Sequence, residues 1–169
     1  LVFLLGVPKV KFVDKPCTFL LKFKKADFLF SRNKSPARMF HLSENNSIKI
    51  CYMNDTHGAF LNDDNGFPRI KTLLKSIKPD LILHAGDFNT GPLESNAFYA
   101  LPDIIALNDL KIDALTLGNH DFDVPKSVFL WQKKKIQFPI LGGNILNEKH
   151  QPACLPYIIK IVKGLKIAI

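Results

Sequence analysis

Along residues 48–169 short apolar runs alternate with longer mixed stretches, and the alternation predicts strands and helices in turn. Ile48 to Met53 reads as a strand, Asn54 to Gly66 as a polar loop, and Pro68 to Lys78 as a helix opened by proline. Leu81 to His84 is a second apolar strand, followed by a loop from Gly86 to Ser95. A helix is expected from Asn96 to Leu110, with Pro102 either breaking it or starting its main segment. Asp113 to Leu117 is a third strand. Pro125 to Lys135 is a third helix, with Asp123 or Val124 near its cap. Phe138 to Leu141 makes a fourth strand. The close, Tyr157 to Val162 and Leu165 to Ile169, reads as a hairpin turned by Lys163-Gly164. Such an order implies an α/β fold: a mostly parallel sheet with flanking helices, and an antiparallel addition at the end.

Residues 1–47 lack this texture. Apolar patches such as Phe19-Leu20-Leu21 and Phe28-Leu29-Phe30 are broken by lysines and by Pro8, Pro16 and Pro36, and no period persists. They are expected to form a poorly ordered or loosely packed basic extension, outside a domain spanning residues 48–169. Charge sharpens that division. The whole chain carries a formal +8, but residues 1–47 hold nine Lys/Arg and three Asp/Glu, whereas residues 48–169 hold fourteen and twelve. The basicity that would suit a nucleic-acid partner therefore belongs to the extension, and the domain is almost balanced.

Three cysteines, Cys17, Cys51 and Cys154, form neither a CxxC pair nor an even framework, and Cys51 sits in a strand pattern where a buried thiol is expected. No run approaches the roughly 18 apolar residues of a membrane helix, so no transmembrane segment is expected. Leu1 to Val7 is apolar but has neither a charged lead nor a small-residue cleavage site, so it does not read as a signal peptide. The chain opens on Leu and closes inside a strand pattern at Ile169, which reads as a piece of something longer.

Polar residues gather where three of the strands end. Ile48–Met53 runs into Asn54-Asp55-Thr56-His57-Gly58, Leu81–Ala85 into Gly86-Asp87, and Asp113–Leu117 into Gly118-Asn119-His120-Asp121-Phe122-Asp123. So many polar groups at strand ends need partners or a ligand. In Asp55-Thr56-His57 a carboxylate and an imidazole two apart share a side where the chain is extended. Asp87 follows Asp55 by 32 residues and Asn119 follows Asp87 by 32, each about one strand–helix unit, so parallel strands return them to one edge. Taken singly, Asp-x-His and Gly-Asp are also common turn and cap patterns. Together and in order they point to a metal site, whose mixed oxygen and nitrogen donors suit Zn, Mn, Fe, Co or Mg. His84, His41 and His150 lack this placement; His84 is expected to pack or bond locally.

These three blocks resemble the signature blocks of the calcineurin-like metallophosphoesterases. Within that superfamily the chain resembles the 5′-nucleotidase family that includes periplasmic UDP-sugar hydrolases, notably over Gly86-Asp87-Phe88-Asn89-Thr90-Gly91 and Phe138-Pro139-Ile140-Leu141. The likeness covers Ile48 to Ile169. It implies two divalent metal ions (Zn, Mn, Co or Mg), with Asp55 and His57 on one, Asp87 bridging, and Asn119 on the second. It also implies a catalytic pair, His120 and Asp123, a nucleotide or nucleotide-sugar substrate, and a periplasmic or extracellular location. Asp121 stands where the family has glutamate and is not expected to touch metal.

Two later histidine ligands and the family's C-terminal base-binding domain have no counterpart after Asp123. The chain is thus expected to be the incomplete half of a four-layer metallophosphoesterase domain, a nucleotide phosphoester hydrolase present as a fragment and inactive by itself. Two alternatives stand beside this one. One is an inactive truncated remnant or binding module; the other is a nuclease of the same superfamily that grips nucleic acid with the basic extension, against which the near-neutral domain speaks.

Overall fold

The structure is a computed structural model that describes residues 9–12, 19–22, 48–58 and 66–169. Six strands form one sheet in chain order: β1 (Lys9–Phe12), β2 (Phe19–Lys22), β3 (Lys49–Met53), β4 (Leu81–His84), β5 (Ala114–Thr116) and β6 (Ile140–Leu141). The four strands β3 to β6 are parallel, and β2 and β1 continue the sheet antiparallel from the β3 edge. The rest of residues 1–47 lies outside the described residues, and with it the expectation of a loosely packed extension. The loop from 59 to 65 lies outside them too.

Helices link the parallel strands: α1 (Phe67–Ile77) joins β3 to β4, α2 (Leu93–Ala97) and α3 (Leu101–Leu110) join β4 to β5, and α4 (Lys126–Lys135) follows β5. Because strand order follows chain order, right-handed crossovers put these helices on one face of the sheet. Alternation along each strand then sorts the core. Cys51 and Met53 of β3 join Leu74, Ile104, Leu107, Leu115 and Phe88 beneath the helices. Ile50 of β3 and Leu81 of β4 face the other way, against Val162 and Ile167.

Those last two residues belong to β7 (Ile159–Val162) and β8 (Leu165–Ala168), an antiparallel hairpin. The hairpin is a separate two-stranded sheet rather than an extension of the main one. The cause is at β6, whose outer edge is already used: the Leu155 N–H donates to the Ile140 carbonyl (3.2 Å) and the Gly142 N–H to the Leu155 carbonyl (2.8 Å). The hairpin therefore folds across the sheet face. Lys163 donates to Asp80 (2.7 Å) and Lys160 pairs with Asp113, fastening it beside the starts of β4 and β5.

Several boundaries differ from the sequence expectation. The stretch 93–110 holds two helices, because Tyr99 and Ala100 adopt φ of +51° and +55° and turn the chain between them. Pro102 lies in the first turn of α3, so it starts the main segment. At α4 the N-cap is Pro125, next to Val124, while Asp123 closes a short 3₁₀ turn over His120–Phe122. No helix among the described residues is long and apolar enough to cross a membrane.

Candidate metal centre

Parallel strands deliver their carboxyl ends to one edge, and here β3, β4 and β5 each end in polar residues. The first two strand ends are laced together by backbone. The Asp55 N–H donates to the Gly86 carbonyl (3.0 Å) and the His57 N–H to the Asp87 carbonyl (3.2 Å). The lacing holds Asp55, His57 and Asp87 at φ of +52°, +40° and +58°. Left-handed backbone at a non-glycine residue costs of order 1–3 kcal/mol and tends to collect at functional sites. Three such residues in two adjoining loops are also the three that offer ligand atoms to one another's neighbourhood: one donor atom from each lies within 4.8 Å of the other two.

The donor set suits a divalent cation. His57 Nδ1 sits 2.9 Å from the Asn89 carbonyl and 2.8 Å from that of Thr90. Carbonyls only accept, so Nδ1 carries the proton and Nε2 keeps its lone pair, as a metal-binding imidazole requires. That Nε2 is 3.9 Å from Asp55 Oδ1. Ligands bonded at about 2.0–2.2 Å to one ion lie about 3–4 Å apart, so small side-chain rotations would bring these groups to it. Asp55 is exposed and His57 partly so, whereas Asp87 is buried. The opening is therefore on the Asp55 side and the floor is Asp87.

The third strand end supplies the rest. Gly118 passes so close to the β4 loop that a Cβ there would strike the Asp87 carboxylate, and a Cβ at Gly86 would strike Gly118 in turn. Gly86 also adopts φ +102°, which glycine takes without a side-chain clash. Asn119 is exposed and heads the 3₁₀ turn. The next residue, His120, donates its N–H to Asp87 Oδ1 at 2.8 Å. Its ring meets that of His57 edge-on, with centres 5.0 Å apart. His120 Nδ1 lies 2.7 Å from Asp123 Oδ2; this bond raises the His120 pKa above the ordinary imidazole value, against a smaller opposing effect of desolvation. Asp55, His57, Asp87, Asn119, His120 and Asp123 thus come from three strand ends to one edge of the sheet.

Asp121, expected to stay off the metal, is the polar hub behind them. It is almost fully buried and accepts five N–H groups: Asp87 N and Gly118 N on Oδ2 (2.9 Å each), and Phe88 N, Asn89 N and Asn89 Nδ2 on Oδ1 (3.1, 3.1 and 3.2 Å). Asn89 in turn bonds buried Gln132 of α4, whose Nε2 also reaches the Tyr99 carbonyl. The hints in the sequence were its place inside a dense polar block and its standing where the resembled family has glutamate. His84 is no ligand: it is buried, accepts from the Gly86 N–H on Nδ1 and meets Thr56 Oγ1 through Nε2.

Residues 48–164 match the calcineurin-like phosphoesterase family. The chain belongs to that family, whose members are phosphoester hydrolases that use divalent metals. Among curated relatives it is 37% identical over 134 residues to Protein UshA of Yersinia enterocolitica, covering 72% of this chain and 24% of that protein. It is 33% identical over 147 residues to the 5′-nucleotidase of Vibrio cholerae, covering 80% and 27%. Among solved structures, the Haemophilus influenzae NAD nucleotidase superposes with a TM-score of 0.62 at 29% identity, over 72% of this chain and 25% of that one. The chain spans about a quarter of the length of the curated relatives it matches.

Proposed function

We propose that this edge is part of the active site of a nucleotide phosphoesterase of the 5′-nucleotidase and UDP-sugar hydrolase type. The observation that carries the proposal is the convergence of Asp55, His57 and Asp87 within 4.8 Å, with the His120 ring beside them. Asp55 and His57 would hold one cation, Asp87 would lie between two, and Asn119 would serve the second. Bound there, divalent ions would polarise a phosphoryl oxygen and supply hydroxide near neutral pH. The chain's own residues do the remainder. Asp123 accepts from His120 Nδ1, favours the imidazolium and fixes the ring, so that Nε2–H can stabilise charge on, or protonate, a departing oxygen. Nucleotides and nucleotide sugars are the proposed substrate class, and the periplasm or the cell exterior the proposed compartment.

The four ligands proposed among the described residues are few for two cations, so weak metal binding and low turnover by these 169 residues alone form part of the proposal. Titration of the chain with Co²⁺, alongside hydrolysis of AMP and UDP-glucose, tests it. Cobalt binding that disappears in Asp87→Ala is expected; a wild-type chain that binds no cobalt would remove the metal reading. Brisk hydrolysis abolished by Asp87→Ala would keep the enzyme but discard the insufficiency of its four ligands.

A further inference from the structure

We infer that Asp121 is a positioning residue for the metal centre: its buried carboxylate fixes the place of Asp87 relative to His120. The inference rests on the metal reading proposed above and adds a residue that touches neither metal nor substrate.

Asp87 is held at three points. Its N–H is taken by Asp121 Oδ2, its carbonyl by the His57 N–H, and its Oδ1 by the His120 N–H. Only the first of these partners is a side chain, and it ties Asp87 and Gly118 to a single oxygen, 2.9 Å from each nitrogen. One atom thereby joins the loop after β4 to the loop after β5. The other oxygen gathers Phe88 and Asn89 N–H groups, closing a backbone nest around an anion. The nest keeps Asp87 in its left-handed conformation, from which the carboxylate is aimed at the His57 side of the edge.

Both oxygens of Asp121 face donors, which makes the site sensitive to a nearly isosteric change. Asn at this position must set its NH₂ against either Asp87 and Gly118 or Phe88 and Asn89, whichever way the amide is turned. The Asn89 side chain adds one more donor, Nδ2, on Oδ1.

The test compares the whole chain, Asp121→Asn, Asp121→Glu and Leu110→Ala by amide hydrogen exchange without metal and by Co²⁺ titration. Leu110 is a core residue at the far end of α3 and controls for a general loss of stability. In the unsubstituted chain the amides of Asp87, Phe88, Asn89 and Gly118 should be protected. Asp121→Asn should release them and weaken cobalt binding by about 10–100-fold, Asp121→Glu should recover part of the affinity, and Leu110→Ala should keep it. Unprotected amides in the unsubstituted chain would overturn the inference even if Asp121→Asn fails to fold. Cobalt affinity that is abolished by Asp87→Ala yet indifferent to Asp121→Asn would overturn it while leaving the metal reading intact. Cobalt binding that survives Asp87→Ala would instead sink the metal reading, and this inference with it.

Discussion

His57 and His120 stand edge to face, ring centres 5.0 Å apart and planes inclined at 76°, although they end different strands. Each has its Nδ1 engaged, His57 on the carbonyls of Asn89 and Thr90 and His120 on the Asp123 carboxylate. The two Nε2 atoms are left for ligands, and the different partners set different work. The carbonyls place the His57 proton on Nδ1 and leave Nε2 facing the site; a carboxylate makes His120 a better cation.

The first prediction follows from that division. In a form of the protein with measurable turnover, His120→Asn should lower it by about 10²–10⁴-fold, the usual range for a general acid. Cobalt affinity should change little. Equal losses in turnover and affinity would make His120 a ligand rather than a proton donor.

Gly118→Ala should damage the site without touching a ligand. The new Cβ would fall 2.5 Å from Asp87 Cγ and 2.9 Å from its nitrogen. Overpacking of this kind costs about 1–3 kcal/mol, and any relief must move Asp87. Urea denaturation should report the destabilisation, and Co²⁺ titration a weaker site; unchanged affinity would show that Asp87 does not hold the metal.

His84 makes the fold sensitive to acid. Burial pushes its pKa down to about 4, with a smaller opposing effect from Asp55. The folded value lies below the unfolded one, so below pH of about 6.5 the unfolded chain takes up the proton first. Stability from the neutral ring is fully present above that pH and is lost as pH falls towards about 4, by of order 3 kcal/mol in all. Urea midpoints measured from pH 7 to 4.5 should fall less steeply in His84→Gln than in the unsubstituted chain. Parallel slopes would show that His84 titrates normally.

Gln132→Leu should destabilise the fold from the far side of the hub. Gln132 is fully buried and its Nε2 serves Asn89 Oδ1 (2.6 Å) and the Tyr99 carbonyl (2.9 Å). Leucine fills a similar volume but leaves the buried Asn89 Oδ1 without that donor, a penalty of about 1–3 kcal/mol. A loss well under that range, read from urea unfolding, would mean that water enters and replaces the amide.

The sequence by itself determined the strand–helix alternation of residues 48–169 and the identity of the strand-end residues. Both are local properties: apolar runs of strand length, proline at helix starts, and polar blocks following each strand. Spacing of one strand–helix unit also sufficed to send Asp55, Asp87 and Asn119 to a common edge, because parallel strands must all point their ends the same way. What required the tertiary structure was everything set by pairs distant in the chain. The hairpin β7–β8 could join the sheet or cross it, and Leu155 on the β6 edge decided the matter. Tyr99 and Ala100 split one expected helix in two through backbone angles that neither residue type favours locally. Asp121 was legible only as one member of a polar block, in the position where the resembled family has glutamate and off the metal. Its role exists only once the loops after β4 and β5 fold over it, since an acceptor acquires meaning from the five donors that surround it.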